Sequence, residues 1–118
     1  MIDKLLGLQN QLRIYHWQTS SFSEHKALGK AYDALDDSID TFVESWIGVH
    51  GKVSIEGGIR MTLLDYTADG TTKLLDQATE FFTTGELGSA LADNTDLANI
   101  RDEMLGTIHH TKYLLTLK

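Results

Sequence analysis

Cysteine and proline are both missing from this chain. Without cysteine there are no disulfides, no thiolate zinc sites and no thiol nucleophile. Without proline no helix is forced to kink, and breaks between elements fall to the glycines, four of which cluster at Gly48, Gly51, Gly57 and Gly58. No apolar run approaches the ~20 residues of a membrane-spanning helix. No charged-then-apolar leader opens the sequence either, so no membrane association and a cytoplasmic location are expected. Basic residues are also scarce: ten Lys and Arg against seventeen Asp and Glu leave a formal charge of −7. Such a surface repels phosphate backbones and anionic lipid. Neither Met1-Ile2-Asp3-Lys4 nor the lone Lys118 makes a basic arm, so no nucleic-acid partner is expected. An acidic surface does hold cations.

What is present is helical patterning. At 118 residues the chain has the length of one domain, residues 1–118, large enough to bury a core. Leu5, Leu8, Leu12 and Tyr15 recur at helical spacing and predict a first helix over Ile2 to Gln18. Thr19-Ser20-Ser21 interrupts it, and Ser21-Phe22-Ser23-Glu24 reads as a capping box opening a second helix that reaches Ile47. Gly48 to Gly58 reads as helix exit and connector; Ile59 to Tyr66 is ambiguous and compatible with a short helix. Leu74, Leu75, Ala78, Phe81 and Phe82 predict a third helix over Thr71 to Thr83, stopped by Gly85. Leu97, Ile100, Met104, Ile108, Thr111 and Leu115 form one stripe of a last helix capped by Asp93 or Asn94. The expectation is an all-α fold: a four-helix bundle with a crossover connection between helices 2 and 3.

The candidate chemistry is gathered in His16, His25, Asp40 and Glu44. Two imidazoles and two carboxylates suit a borderline metal such as Fe(II) or Zn(II), and ligand type alone does not separate these from manganese. Asp40 and Glu44 stand one turn apart on one helix face and converge on a single ion. With His25 at zero on a wheel of ~100° per residue, Leu28, Tyr32, Leu35, Ile39, Val43 and Trp46 fall between ~280° and ~360°. Asp36, Asp40 and Glu44 fall between ~20° and ~100°, flanking that stripe instead of lying in it. No Glu-x-x-His occurs, so the inward-pointing ligand set of di-iron bundles is not expected. A flanking acid row needs ligands from a neighbouring molecule or an adjacent helix, which makes an intersubunit metal site the sharper expectation. His50 is an accessory candidate only if the second helix outlasts Gly48. His109, His110 and Glu103 point away from the core of the last helix and read as surface groups.

These residues resemble the Dps family of small ferritin-like proteins, the miniferritins. The resemblance rests on His16-Trp17, then Phe22, His25 and Tyr32, then Asp40-x-x-x-Glu44, fifteen residues beyond the second histidine. A fainter echo lies in Asp93-Asn94-Thr95-Asp96-Leu97 and Lys112-Tyr113-Leu114-Leu115. The resemblance implies a ferritin-like bundle that forms homo-oligomers built from dimers, up to a hollow dodecamer. It implies that His16 and His25 of one subunit and Asp40 and Glu44 of its mate are the metal ligands and catalytic residues of a ferroxidase. Fe(II) would be oxidised there by peroxide or dioxygen, with storage of the ferric product and protection from oxidative damage.

A second function belongs to another class: a metal-free ferritin-like bundle acting as an assembly or interaction module. A loop between the histidines three residues shorter than the family's, and Ser45 where the family carries arginine, favour it. A third option, an intrachain site using Glu103 or His110 with the second helix, is disfavoured by the wheel.

Overall fold

Leu5, Leu8, Leu12 and Tyr15 are all buried in the computed structural model, which describes residues 1–91 and 93–117. Lys118 therefore lies outside the described residues, as does Ala92. The four buried side chains form the inner stripe of α1 (Ile2–Gln18), whose bounds match the sequence expectation. The second helix, α2 (Phe22–His50), starts where expected but runs on past Ile47. Gly48 inside it costs about 0.5–1 kcal/mol in backbone entropy. The stacking of Trp46 on His50 across it, ring centroids 4.1 Å apart, offsets that cost. The stop is Gly51, whose φ of 91° only glycine adopts readily and whose N–H closes the helix onto the Ile47 carbonyl at 2.8 Å. With 29 residues at ~1.5 Å rise, α2 spans about 43 Å, the longest dimension of the molecule.

Half of the expected capping box forms at its start. The Glu24 N–H donates to Ser21 Oγ at 3.3 Å, while the Ser21 N–H goes to Thr19 Oγ1 at 3.2 Å. The Glu24 carboxylate turns instead to the Tyr66 hydroxyl, whose pKa that contact raises.

Three further helices follow: α3 (Gly70–Phe82), the short α4 (Glu86–Ala90) and α5 (Thr95–Leu115). Gly85, expected as a stop, closes the end of α3 by donating its N–H to the Glu80 carbonyl at 2.6 Å, and it also precedes α4, a five-residue turn too short to show a period. It is held by the buried Leu87 and by Glu86, which pairs with Lys4 at 3.0 Å. Among the described residues there is no strand, and no helix is long and apolar enough to cross a membrane. The long helices pack in a ring, α1 on α2, α2 on α5, α5 on α3 and α3 on α1, compatible with a helical bundle. Their core includes Leu12, Leu28, Leu35, Phe42, Phe82 and Met104.

On α2 the buried strip is rotated from its expected place. Leu28, Leu35 and Ile39 are buried as expected, but Ala27, Ala31 and Phe42 join them, while Tyr32, Val43 and Trp46 are half-buried. The small Ala27 and Ala31 let a neighbouring helix approach closely on that side. The turn moves the carboxylates from the flank of the core to the opposite face, where Asp33, Asp36, Asp37, Asp40 and Glu44 are all exposed.

Residues 59–66 do not form a helix. Gln11 of α1 binds Leu64 through both amide atoms, donating to its carbonyl and accepting from its N–H, each at 2.8 Å. Gln18 accepts from the Tyr66 N–H at 2.6 Å and donates to Asp65 Oδ1 at 2.9 Å. A segment whose backbone groups are claimed by two glutamine side chains has no need of a helix to satisfy them.

Candidate metal site

His16 stands in the last turn of α1 and His25 in the first turn of α2, on either side of the tight corner at Thr19–Ser21. The corner folds the two imidazoles onto each other, centroids 3.8 Å apart and planes 14° from parallel. His16 Nδ1 donates to the His25 carbonyl at 2.6 Å, and His25 Nδ1 donates to the His16 carbonyl at 2.7 Å. A carbonyl only accepts, so each Nδ1 must carry a hydrogen. In the neutral ring Nε2 is then left with its lone pair. In metal-binding histidines a hydrogen bond from the other ring nitrogen to a carbonyl fixes tautomer and orientation in this way.

The rest of the packing serves the same end. Gly29, one turn after His25, lies under the His16 ring; a β-carbon there would come within 2.8 Å of Cε1. Tyr32 meets the ring edge-on at 5.2 Å, with the Arg13 guanidinium 4.9 Å above the Tyr32 ring. Phe22 lies alongside His25 at 6.4 Å. Both histidines are half-buried and line a surface cavity of about 590 Å³ with Lys26, Lys30 and Leu114. Gly29 and Tyr32 are thus positioning residues. Neither glycine nor tyrosine announces that role in a sequence, although Gly29 is one helical turn from His25.

The acid pair is built differently. Asp40 and Glu44 are exposed and stand one turn apart. A proton shared with Asp40, then repulsion from its charge, hold the Glu44 carboxyl above its ordinary value of 4.5. Two carboxylates in that state favour a cation between them.

The structure brings His16 to His25 and Asp40 to Glu44, but not one pair to the other. His25 and Asp40 are fifteen residues apart on one helix, about 22 Å. Among the described residues no three His, Asp or Glu side chains gather into a metal-holding group. Glu103, His109 and His110 are exposed on α5, and His50 is exposed beside Trp46. Trp17 is 65 % exposed next to the histidines.

Residues 16–115 match a family of unknown function (DUF5856). The chain is also similar to an uncharacterized 14.6 kDa protein encoded in the mobD–ri intergenic region of Enterobacteria phage T4. The two are 28% identical over 123 residues, covering 98% of this chain and 88% of the phage protein. No solved structure matches.

Proposed function

This chain belongs to that family of unknown function, and we propose that it is a Dps-like iron-binding protein that oxidises Fe(II) at a site shared between two copies. The observation that carries the reading is the reciprocal Nδ1–carbonyl lock of His16 and His25. It commits each Nδ1 to a carbonyl and leaves each Nε2 as the ring nitrogen open to a metal, on two half-buried side chains. The exposed Asp40 and Glu44 carboxylates complete a nitrogen–oxygen donor set suited to Fe(II), and carboxylate oxygen favours the ferric product. Zinc or manganese fits the same donors. Since the two pairs are about 22 Å apart in one chain, they meet only if a second copy lays its α2 antiparallel to the first. Each dimer then holds two sites, with His16 and His25 from one copy and Asp40 and Glu44 from the other.

The connectivity supports the ferritin-like reading. The connector after α2 starts near Met1 and Trp46, passes Gln11 at Leu64 and reaches Tyr15 at Tyr66 and Gly70. It therefore carries the chain towards the other end of α1 before α3 begins, a course compatible with the single long crossover of ferritin-like bundles.

In the reaction two Fe(II) each lose one electron to a hydrogen peroxide molecule, whose O–O bond breaks to give two hydroxides. The protein's part is to bind Fe(II), to leave coordination positions open to oxidant, and to fix the orientation of both imidazoles through the carbonyl lock. Ferric storage in a larger shell extends the same proposal.

The test is the rise in ferric absorbance on mixing Fe(II) with peroxide. Wild type is expected to show it, and His25→Ala and Asp40→Ala to slow it about 10-fold or more. Equal rates in all three overturn the site. A discrete oligomer free of metal in Fe(II)-containing buffer would favour the metal-free assembly module instead.

A further inference from the structure

α1 and α3 do not close on each other along their whole length. A crevice of about 840 Å³ runs between them, with the connector from Thr62 to Thr67 as its third wall. It follows about 16 Å of α1, from Lys4 to Tyr15. Its apolar lining is Leu8, Leu64, Leu74, Ala78 and Phe81. Small-molecule sites have volumes of roughly 300–1,000 Å³ and this same make-up, an apolar wall with a few placed polar groups. The crevice shares no lining residue with the cavity beside His16 and His25.

Two glycines keep it open. A β-carbon on Gly7 would meet nothing within 4 Å, so that turn of α1 faces empty space. At the other end, a β-carbon on Gly70 would come within 3.0 Å of the Tyr15 hydroxyl and 2.7 Å of Thr67 Oγ1. Tyr15 is only 3% exposed, yet its hydroxyl has no hydrogen-bond partner among the described residues. A buried phenol ordinarily finds one. Gln11, the other buried polar side chain of the lining, has both amide atoms engaged by Leu64. Thr67 Oγ1 donates to Asp69 at 3.1 Å. The Tyr15 O–H is thus a donor directed at the crevice with nothing to receive it. Burial, then the charge of Asp69, raise its pKa, so the proton stays on. Around it the lysines are neutralised, Lys73 by Asp69 at 2.8 Å and Lys4 by Glu86 at 3.0 Å. Among the described residues Asp65 and Glu80 have no ion-pair partner, which leaves the rim acidic.

We propose that the crevice between α1 and α3 binds a small, neutral, apolar molecule carrying a carbonyl oxygen, which accepts a hydrogen bond from the Tyr15 hydroxyl. The apolar body covers Leu8, Leu74, Ala78 and Phe81, and the carbonyl satisfies a donor that burial has stripped of water. The acidic rim and Asp69 select against the carboxylate form of the same ligand. The inference rests neither on iron nor on a second copy.

The experiment is a fluorescence titration of the full chain, in chelator, with a propionyl-dimethylaminonaphthalene. This neutral ketone emits further to the blue when its carbonyl leaves water and further to the red when the carbonyl accepts a hydrogen bond. Wild type is expected to bind it saturably, and to bind the matching dimethylaminonaphthalene carboxylate about 10-fold or more weakly. Tyr15→Phe is expected to weaken ketone binding about 3- to 10-fold and to move the bound emission further to the blue. General loosening of the fold would instead move it to the red. Gly7→Phe fills the crevice from an open position and is expected to weaken binding about 10-fold or more. Circular dichroism checks that both variants are folded. No saturable binding by wild type, equal affinity for ketone and carboxylate, an unmoved emission in Tyr15→Phe, or full binding by Gly7→Phe each overturns the proposal. So does a native mass that falls in Gly7→Phe, since a second copy would then be the occupant.

Discussion

At its first turn α2 holds His25 in a web of contacts: a stacked ring, a carbonyl, a phenylalanine, and a glycine that makes room for His16. Near its other end Asp40 and Glu44 stand in water, touched mainly by each other's charge. The histidine end is preorganised by packing and backbone hydrogen bonds. The acid end is held only by the regularity of the helix. The proposed ligand set therefore combines two kinds of residue, one whose removal disturbs the fold and one whose removal leaves it intact.

The widest separation is expected between His25→Ala and Asp40→Ala. The first removes a stacked ring and leaves the His16 carbonyl without its donor, a loss of about 1–3 kcal/mol in urea unfolding. The second touches no packing and is expected to stay within about 0.5 kcal/mol of wild type. Equal losses of stability would erase the contrast between the two ends.

Gly29→Ala sharpens it further. Replacing a helical glycine by alanine gains about 1 kcal/mol in propensity. A new β-carbon 2.8 Å from His16 Cε1 forces the locked ring to move, at about 1–3 kcal/mol. The expected net is a loss of about 1 kcal/mol with weaker Fe(II) binding in titration. A stabilised variant with unchanged binding would mean that the ring is free to move.

The smallest effect belongs to Glu44. Its folded-state pKa is raised, so its contribution to stability is fully present below 4.5 and is lost as pH rises through the folded value. Above pH 4.5, Glu44→Gln is expected to flatten that part of the pH dependence of thermal unfolding in metal-free protein. A profile indistinguishable from wild type would show that Asp40 and Glu44 do not share a proton.

Much of this was legible in the chain. The leucine periods located α1, α3 and α5 within a residue or two, because long amphipathic stretches without proline have few alternatives. The extension of α2 through Gly48 was not legible. It depends on Trp46 and His50 stacking, a contact that outweighs a local propensity. α4 was missed because five residues carry no period. At the site, the residue types and the Asp40–Glu44 spacing were readable, and a wheel placed the acids outside the core. Their full rotation away from it, and the parts of Gly29 and Tyr32, follow from which neighbours α2 packs against.

By itself the sequence determined the helices and the donor atoms, since hydrophobic period and side-chain chemistry are local properties. Tertiary structure decided what those donors became. It closed the corner between α1 and α2 so that two imidazoles lock each other's tautomer. It also kept the carboxylates about 22 Å away, because a rigid helix fixes the distance between residues along it.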